Sequence, residues 1–126
     1  MYNTVKRICT CLIILGLLAL FLFPSHYLGR FSQEALAAID AAAEAAEAGD
    51  AAALAQEAAR LQQHTERAAV ALRLFLSHDA VDEMALAVRL IDPAADAQTL
   101  RGTLRTARAA VEHLRSIEMF QWDALL

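Results

Sequence analysis

The sequence predicts an all-α protein: a single N-terminal transmembrane helix followed by a small antiparallel bundle of three or four helices. Of its residues 58% are hydrophobic but only 6% are aromatic, and the aliphatic residues and alanine that make up the difference favour helices. Beyond the N-terminal segment, apolar side chains recur at steps of three and four, and no segment alternates as a strand would. The 126 residues leave room for one domain.

The N-terminal segment has the pattern of a membrane anchor. Lys6 and Arg7 precede an uncharged apolar run over residues 8–23, which is about 24 Å long at about 1.5 Å per residue. Because a span needs about 20 residues, we extend the predicted anchor to residues 8–28, where Tyr27 takes the place of an interfacial aromatic residue. The lipid bilayer is therefore the first predicted partner.

The N-terminal charges predict the orientation of this anchor. Residues 1–7 form a basic flank that stays in the cytoplasm, so residues 29–126 form the extracytoplasmic domain of a single-pass cell-membrane protein. A cleaved signal peptide has a similar start, but Pro24 follows the apolar run, and the nearest Ala-x-Ala, at Ala35 and Ala37, lies too far beyond it. We therefore predict an uncleaved signal-anchor.

The cysteines and the charge balance exclude several classes of function. Cys9 and Cys11 lie in the apolar run and point to opposite sides of a helix, so we interpret them as membrane-embedded side chains. A net charge of −4 offers nucleic acid no overall attraction. The sequence contains neither a phosphate-binding glycine loop nor a nucleophile with a base partner. We predict no enzyme, no cofactor and no small-molecule substrate.

The first two helices of the bundle are predicted to meet at Gly49 and Asp50, which suit a helix C-terminus and an N-cap. Alanine fills many of their core positions, so little apolar surface is buried, and we expect a marginally stable domain that an anchor or a partner stabilises. The predicted core positions are Leu36, Ile39, Ala43 and Ala46, then Leu54, Ala58, Leu61, Thr65, Ala68, Leu72 and Phe75.

The remaining helices are predicted on either side of the segment IDPAAD. This segment is expected to end one helix and begin the next, with Asp92 as N-cap and Pro93 as the first helical residue. Both flanking segments carry apolar residues at helical spacing. The core positions are Val81, Met84, Ala85, Val88 and Ile91, then Leu100, Leu104, Ala107, Val111, Leu114 and Ile117, running into Phe120 and Trp122.

The stretch FLSHDAVDEM, residues 75–84, carries the only candidate metal ligands. His78 and Asp82 have the i, i+4 spacing that lets two side chains share an ion, and Asp79 lies beside them. A stable site needs three or four ligands. His64 is about 21 Å away along a continuous helix, and His113 could approach only through helix packing.

A joint between two helices is the favoured interpretation of this stretch. Asp79 and Asp82 fall where the apolar stripe of the second helix would continue, so the core register must break here. Ser77 or Asp79 can cap a new helix, and acidic residues suit its positive N-terminal end. A metal or small-ligand sensor and a pH-sensing contact at His78 are the alternatives. Whether the second and third helices are continuous stays open.

Charge is distributed unevenly between the first and last helices. Every ionisable residue from Glu34 to Glu57 is acidic, whereas the last helix carries Arg101, Arg105, Arg108 and Arg115 along one side, interrupted by Glu112. These arginines (the arginine face) indicate that helix one lies near helix four or meets it in a neighbouring molecule; a phosphate or anionic-lipid site would use the same residues. The predicted partner interface comprises Arg101, Arg105, Arg108, Phe120 and Trp122.

The joint and the C-terminus carry a family resemblance. Leu72, Phe75, Leu76, His78, Val81 and Asp82 are similar to an "L..F..H..ID"-like pattern, and the ending HLRSIEMFQWDALL is similar to a closing segment. Together they resemble small Gram-positive bacterial proteins of a domain-of-unknown-function family, with one N-terminal anchor and a helical extracytoplasmic domain. The resemblance implies no catalytic residues and a role accompanying a larger membrane protein. We therefore expect a structural or interaction protein that binds itself or another envelope protein, with a His78-centred sensor as the alternative.

Overall fold

The computed structural model describes the backbone of residues 1–125 and the side chains of residues 1–117. Its regular structure is helical throughout, with no strand in the described part of the chain, which confirms the predicted all-α class. The four helices are α1 (Tyr2–Ala48), α2 (Ala51–Leu72), α3 (His78–Arg89) and α4 (Ala97–Leu125).

Helix α1 joins the apolar N-terminal segment to the first core helix without a break. It is 47 residues long and continues through Pro24, although proline removes one backbone hydrogen bond from the ladder. Side chains before Pro24 are exposed, whereas Leu28 and Phe31 are buried against the other helices. One helix therefore carries both the predicted anchor and part of the core.

All four helices contribute to a single core. Helix α1 contacts α2 and α4, and α3 contacts α2 and α4. The core positions predicted in α2, α3 and the described part of α4 are confirmed, except that Phe75 is half-exposed and Ile117 is partly buried. The buried side chains include Leu54, Leu61, Leu72, Val81, Met84, Val88, Leu104, Val111 and Leu114.

The buried stripe of α1 is rotated from the predicted one. Of the predicted positions, Ile39 is buried, whereas Leu36, Ala43 and Ala46 are only partly buried. Ala35, Ala42 and Ala45 are buried instead. In an alanine-rich helix, adjacent stripes differ little in apolar content, so local spacing does not choose between them. The larger side chains nearer the anchor, on residues 28 and 31, are buried and thereby fix the rotation.

The turn between α1 and α2 forms where the sequence predicts it. Gly49 adopts the left-handed conformation, with φ of 71°, and Ala53 N donates to Asp50 Oδ1 at 3.1 Å. Glycine is favoured at a helix end because a Cβ atom penalises this backbone conformation.

The predicted start of α4 at Asp92 and Pro93 is wrong. The backbone N–H of Thr99 donates to Asp96 Oδ1 at 3.2 Å, so Asp96 caps the helix that begins at Ala97. Asp92 instead accepts a hydrogen bond from Ala94 N at 2.9 Å in the preceding turn. Asp followed by Pro suits the first two positions of a β-turn as well as a helix start, and the second aspartate provides the cap.

A short turn over residues 73–77 separates α2 from α3, so the second and third helices are not continuous. Phe75 lies in this turn rather than in the helix. A second link holds the far end of α3, where Gln62 Nε2 donates to the carbonyl oxygen of Ile91 at 3.1 Å and approaches that of Val88 at 3.4 Å. The Val88 carbonyl also accepts a hydrogen bond from the backbone N–H of Ile91 at 3.2 Å, so Gln62 of α2 adds a side-chain donor to the carbonyls at the C-terminal end of α3.

Candidate functional site

The α2–α3 joint contains the predicted His78 cluster. Ser77 is the N-cap residue of α3, without a side-chain cap, and His78 is the first helical residue. His78 and Asp79 are exposed. Asp82 Oδ1 accepts hydrogen bonds from Arg73 Nε at 2.9 Å and Nη2 at 2.7 Å. Asp79 and Asp82 therefore lie near the start of a new helix, as the joint interpretation predicts, and Asp82 also ties that helix to the end of α2, a contact that was not predicted.

The structure does not assemble further metal ligands around this joint. Among the residues it describes, no group of three or more His, Cys, Asp or Glu side chains could hold a metal ion. His113 lines a groove of about 350 Å³ between α3 and α4, together with Glu83 and Thr106. His78 and Asp82 are not among the residues that line this groove.

The arginine face is partly engaged within the chain. Arg108 Nη2 forms an ion pair with Asp40 Oδ1 of α1, so helix one lies near helix four, as the charge distribution indicates. Arg101 and Arg105 are exposed and line a groove of about 300 Å³ beside Glu47. The side chains of the other two predicted interface residues, Phe120 and Trp122, lie outside the described residues.

A contact between α1 and α2 that we did not predict centres on His64. Its ring stacks on Phe31 with centroids 5.2 Å apart and planes inclined by 27°. His64 Nε2 lies 3.0 Å from Glu34 Oε2, an ion-pair distance without the alignment of a hydrogen bond. Glu34 and His64 lie on opposite sides of the Gly49 turn and at nearly the same distance from it along the sequence. Pairing the helices about the turn would therefore have brought the two side chains together.

An aromatic cluster links the apolar segment to the joint. The Phe23 ring lies 5.9 Å from Tyr27 in a stacked arrangement and 6.2 Å from Phe75 in an edge-to-face arrangement. A cavity of about 360 Å³ adjoins this cluster and is lined by His26, Arg30 and other side chains of the same region. The last turn of the apolar segment thus contacts the turn between α2 and α3.

Among the residues whose side chains are described, two apolar surfaces are exposed in addition to Leu86 of α3 and Leu90 at its end. The first covers the apolar N-terminal part of α1, whose most apolar 18-residue window is 0% buried. The second lies at the end of α2, where Val70 is 67% exposed, Leu74 79% and Phe75 37%. We call these three residues the apolar tip. The joint motif alone does not reveal them, because local periodicity predicts a buried Phe75.

Comparison of the chain with protein-family models, with curated proteins and with solved structures gives no match. The class of protein is therefore defined by its structure: an all-α chain with one N-terminal helix long and apolar enough to cross a membrane. The resemblance to the Gram-positive family stays a prediction.

Proposed function

We propose that this protein is a single-pass membrane-anchored accessory protein whose extracytoplasmic helical domain binds another copy of itself or an envelope protein. The observation that carries the proposal is the exposed apolar part of α1, whose most apolar 18 residues are 0% buried. Water-exposed apolar patches of this extent are rare on soluble monomers, and a bilayer covers them.

An antiparallel bundle is the domain architecture that we propose. Its support is the order of the contacts between α1 and the chain that follows it. Glu34 of α1 contacts His64, and Phe23, which lies earlier in α1, contacts Phe75, which lies later in the chain. Partners that run in opposite directions along the sequence are expected for antiparallel helices. The Asp40–Arg108 pair and the groove that joins Glu47 to Arg101 suggest the same relation between α1 and α4. Such a domain returns its α2–α3 joint to the membrane.

The anchor and its orientation can be tested with the native cysteines. Cys9 and Cys11 are exposed on α1, and a bilayer would shield them. We expect a membrane-impermeant maleimide to leave both unlabelled in intact spheroplasts and to label them after detergent is added. A Cys9→Ser, Cys11→Ser variant carrying Ala55→Cys, an exposed position on α2, should be labelled without detergent.

The intact mass of the purified protein provides the control for this experiment. A mass that retains residues 1–23 is expected, since a cleaved signal peptide would remove both native cysteines. Labelling of Cys9 before detergent, or recovery of the shortened chain, would contradict the anchor. Labelling of the Ala55→Cys variant only after the cells are lysed would reverse the proposed orientation.

The partner surface can be tested by charge reversal on the exposed arginines. Arg101→Glu with Arg105→Glu should reduce, several-fold, the yield of the protein's crosslinked partner bands in membranes, because partner contacts would lose their cations. Arg89→Glu, an exposed change on α3, is the matched control and should leave the bands unchanged. Unaltered bands in the double variant would exclude this surface.

Arg108 needs a separate variant because it has a partner inside the chain. Reversing Arg108 alone breaks its pair with Asp40, so a lost crosslink would not distinguish folding from binding. The exchange Asp40→Arg with Arg108→Asp keeps opposite charges together. If Arg108 serves only the fold, the exchanged protein should retain its crosslinks.

A further inference from the structure

We infer that the apolar tip of Val70, Leu74 and Phe75 inserts into the outer interface of the same bilayer that holds α1, so that the helical domain lies directly on the membrane. This inference rests on the proposed membrane anchor and adds a second attachment point. It assigns the exposed apolar side chains at the end of α2 to lipid.

The length of the exposed apolar segment supports this insertion. Residues 8–23 span about 24 Å, whereas the hydrocarbon core of a bilayer is about 30 Å thick. The chain cannot present the predicted anchor to lipid as far as Leu28, because Leu28 is 1% exposed and belongs to the domain core. A deficit of about 6 Å must be met by bilayer thinning or by apolar side chains of the domain itself.

The tip has the position that this deficit requires. Phe75 contacts Phe23, the last residue of the apolar run, so the α2–α3 turn lies at the depth where that run ends. Leu74 is 79% exposed in this turn, and moving an exposed leucine side chain from water into an apolar environment is favourable. Lipid at this depth would cover Leu74 without any change in the fold.

Polar groups next to the tip suit the headgroup layer. The Arg30 side chain is 74% exposed, with its Nε 3.4 Å from Glu34 Oε1, and it lines the cavity near Phe23 together with His26 and Tyr27. Tyrosine is enriched at the membrane interface, and cationic side chains near the surface interact with anionic headgroups. A change from apolar tip to polar rim within a few residues is the pattern of a surface at the lipid–water boundary.

Spin labels at three positions test the inference in full-length protein reconstituted into vesicles. With Cys9 and Cys11 replaced by serine, single cysteines are introduced as Leu74→Cys, Leu90→Cys and Leu15→Cys. Leu90 is the matched control because it is also an exposed leucine but lies at the far end of α3, beside the Ile91 carbonyl that Gln62 contacts. Oxygen, which concentrates in lipid, and a water-soluble nickel chelate are the two relaxation agents.

We expect the label at position 74 to be relaxed several-fold more by oxygen than by the chelate, as at position 15, and the label at position 90 to show the reverse. A chelate-accessible label at 74 together with a lipid-buried label at 15 would overturn the inference while the anchor stands. Access of the chelate to the label at position 15 would contradict both the membrane anchor and the insertion of the apolar tip. A label at 74 shielded from both agents would indicate a protein partner on the tip and would also overturn the inference.

Discussion

Replacing Leu15 and Leu18 together by arginine should prevent the protein from inserting into the membrane. Both side chains are exposed on α1 near the middle of the apolar run. Exchanging leucine for arginine at the centre of a spanning helix costs about 3 kcal/mol per residue. Two exchanges therefore cost about 6 kcal/mol, which corresponds to about a 10⁴-fold shift in the insertion equilibrium. Resistance of the protein to alkaline carbonate extraction is the measurement.

The matched control is the double variant Leu15→Ile, Leu18→Ile, which alters the same positions but keeps them apolar. It should remain in the carbonate-resistant fraction, as the unaltered chain does. Circular dichroism in detergent should show similar helix content for both variants, because arginine is a good helix former. A double-arginine protein that still resists extraction would show that the apolar run is covered by protein rather than lipid.

Local sequence signals predicted the fold well wherever a single residue type decides the outcome. Gly49 and Asp50 define a turn because one tolerates a positive φ and the other caps a helix. The stripe of α2 is unambiguous because its leucines, at positions 54, 61 and 72, recur at steps of seven and eleven residues, which place them on one side of a helix. Such signals depend on a few neighbouring residues and need no knowledge of packing.

Signals that depend on packing could not be read from local patterns. Pro93 offered a helix start, but Asp96 four residues after Asp92 provides the cap, and only the geometry of the turn decides between them. The contact of His64 with Glu34 joins residues on different helices. To predict this contact, residues of α1 and α2 that lie equally far from the α1–α2 turn would have to be paired with one another.

Of the candidate surfaces, one could be predicted from the sequence and the other could not. The charge difference between α1 and α4 indicated their proximity, and the Asp40–Arg108 pair shows it. The apolar tip was not predicted, because periodicity assigned Phe75 to the core of α2. The helix in fact ends at Leu72, and in the turn that follows Leu74 and Phe75 are exposed whereas Leu76 packs against the core. Beyond the end of a helix, the helical spacing of apolar residues no longer predicts which side chains face the core.

Replacing Leu61 by alanine should destabilise the helical domain more than most single changes. Leu61 is 1% exposed in α2 and belongs to the shared core. Large-to-small replacements at such positions cost about 2–5 kcal/mol. Many of the side chains that α1 contributes to this core are alanines, so the larger side chains, such as that of Leu61, provide most of the buried volume. A loss of this size is a substantial part of the total stability of a small domain, about 5–15 kcal/mol.

Amide hydrogen exchange in the reconstituted protein separates this effect from the stability of the anchor. Peptides from α2 to α4 should lose protection by about 30-fold or more in Leu61→Ala, whereas peptides within residues 8–23 should exchange as before. Leu86→Ala is the matched control, since Leu86 is 53% exposed on α3 and its truncation should change the opening free energy by less than about 0.5 kcal/mol. Equal effects of the two changes would mean that Leu61 does not pack in a core. Loss of protection confined to α2 would mean that the four helices do not unfold as one unit, because a residue buried in a shared core stabilises every helix that contacts it.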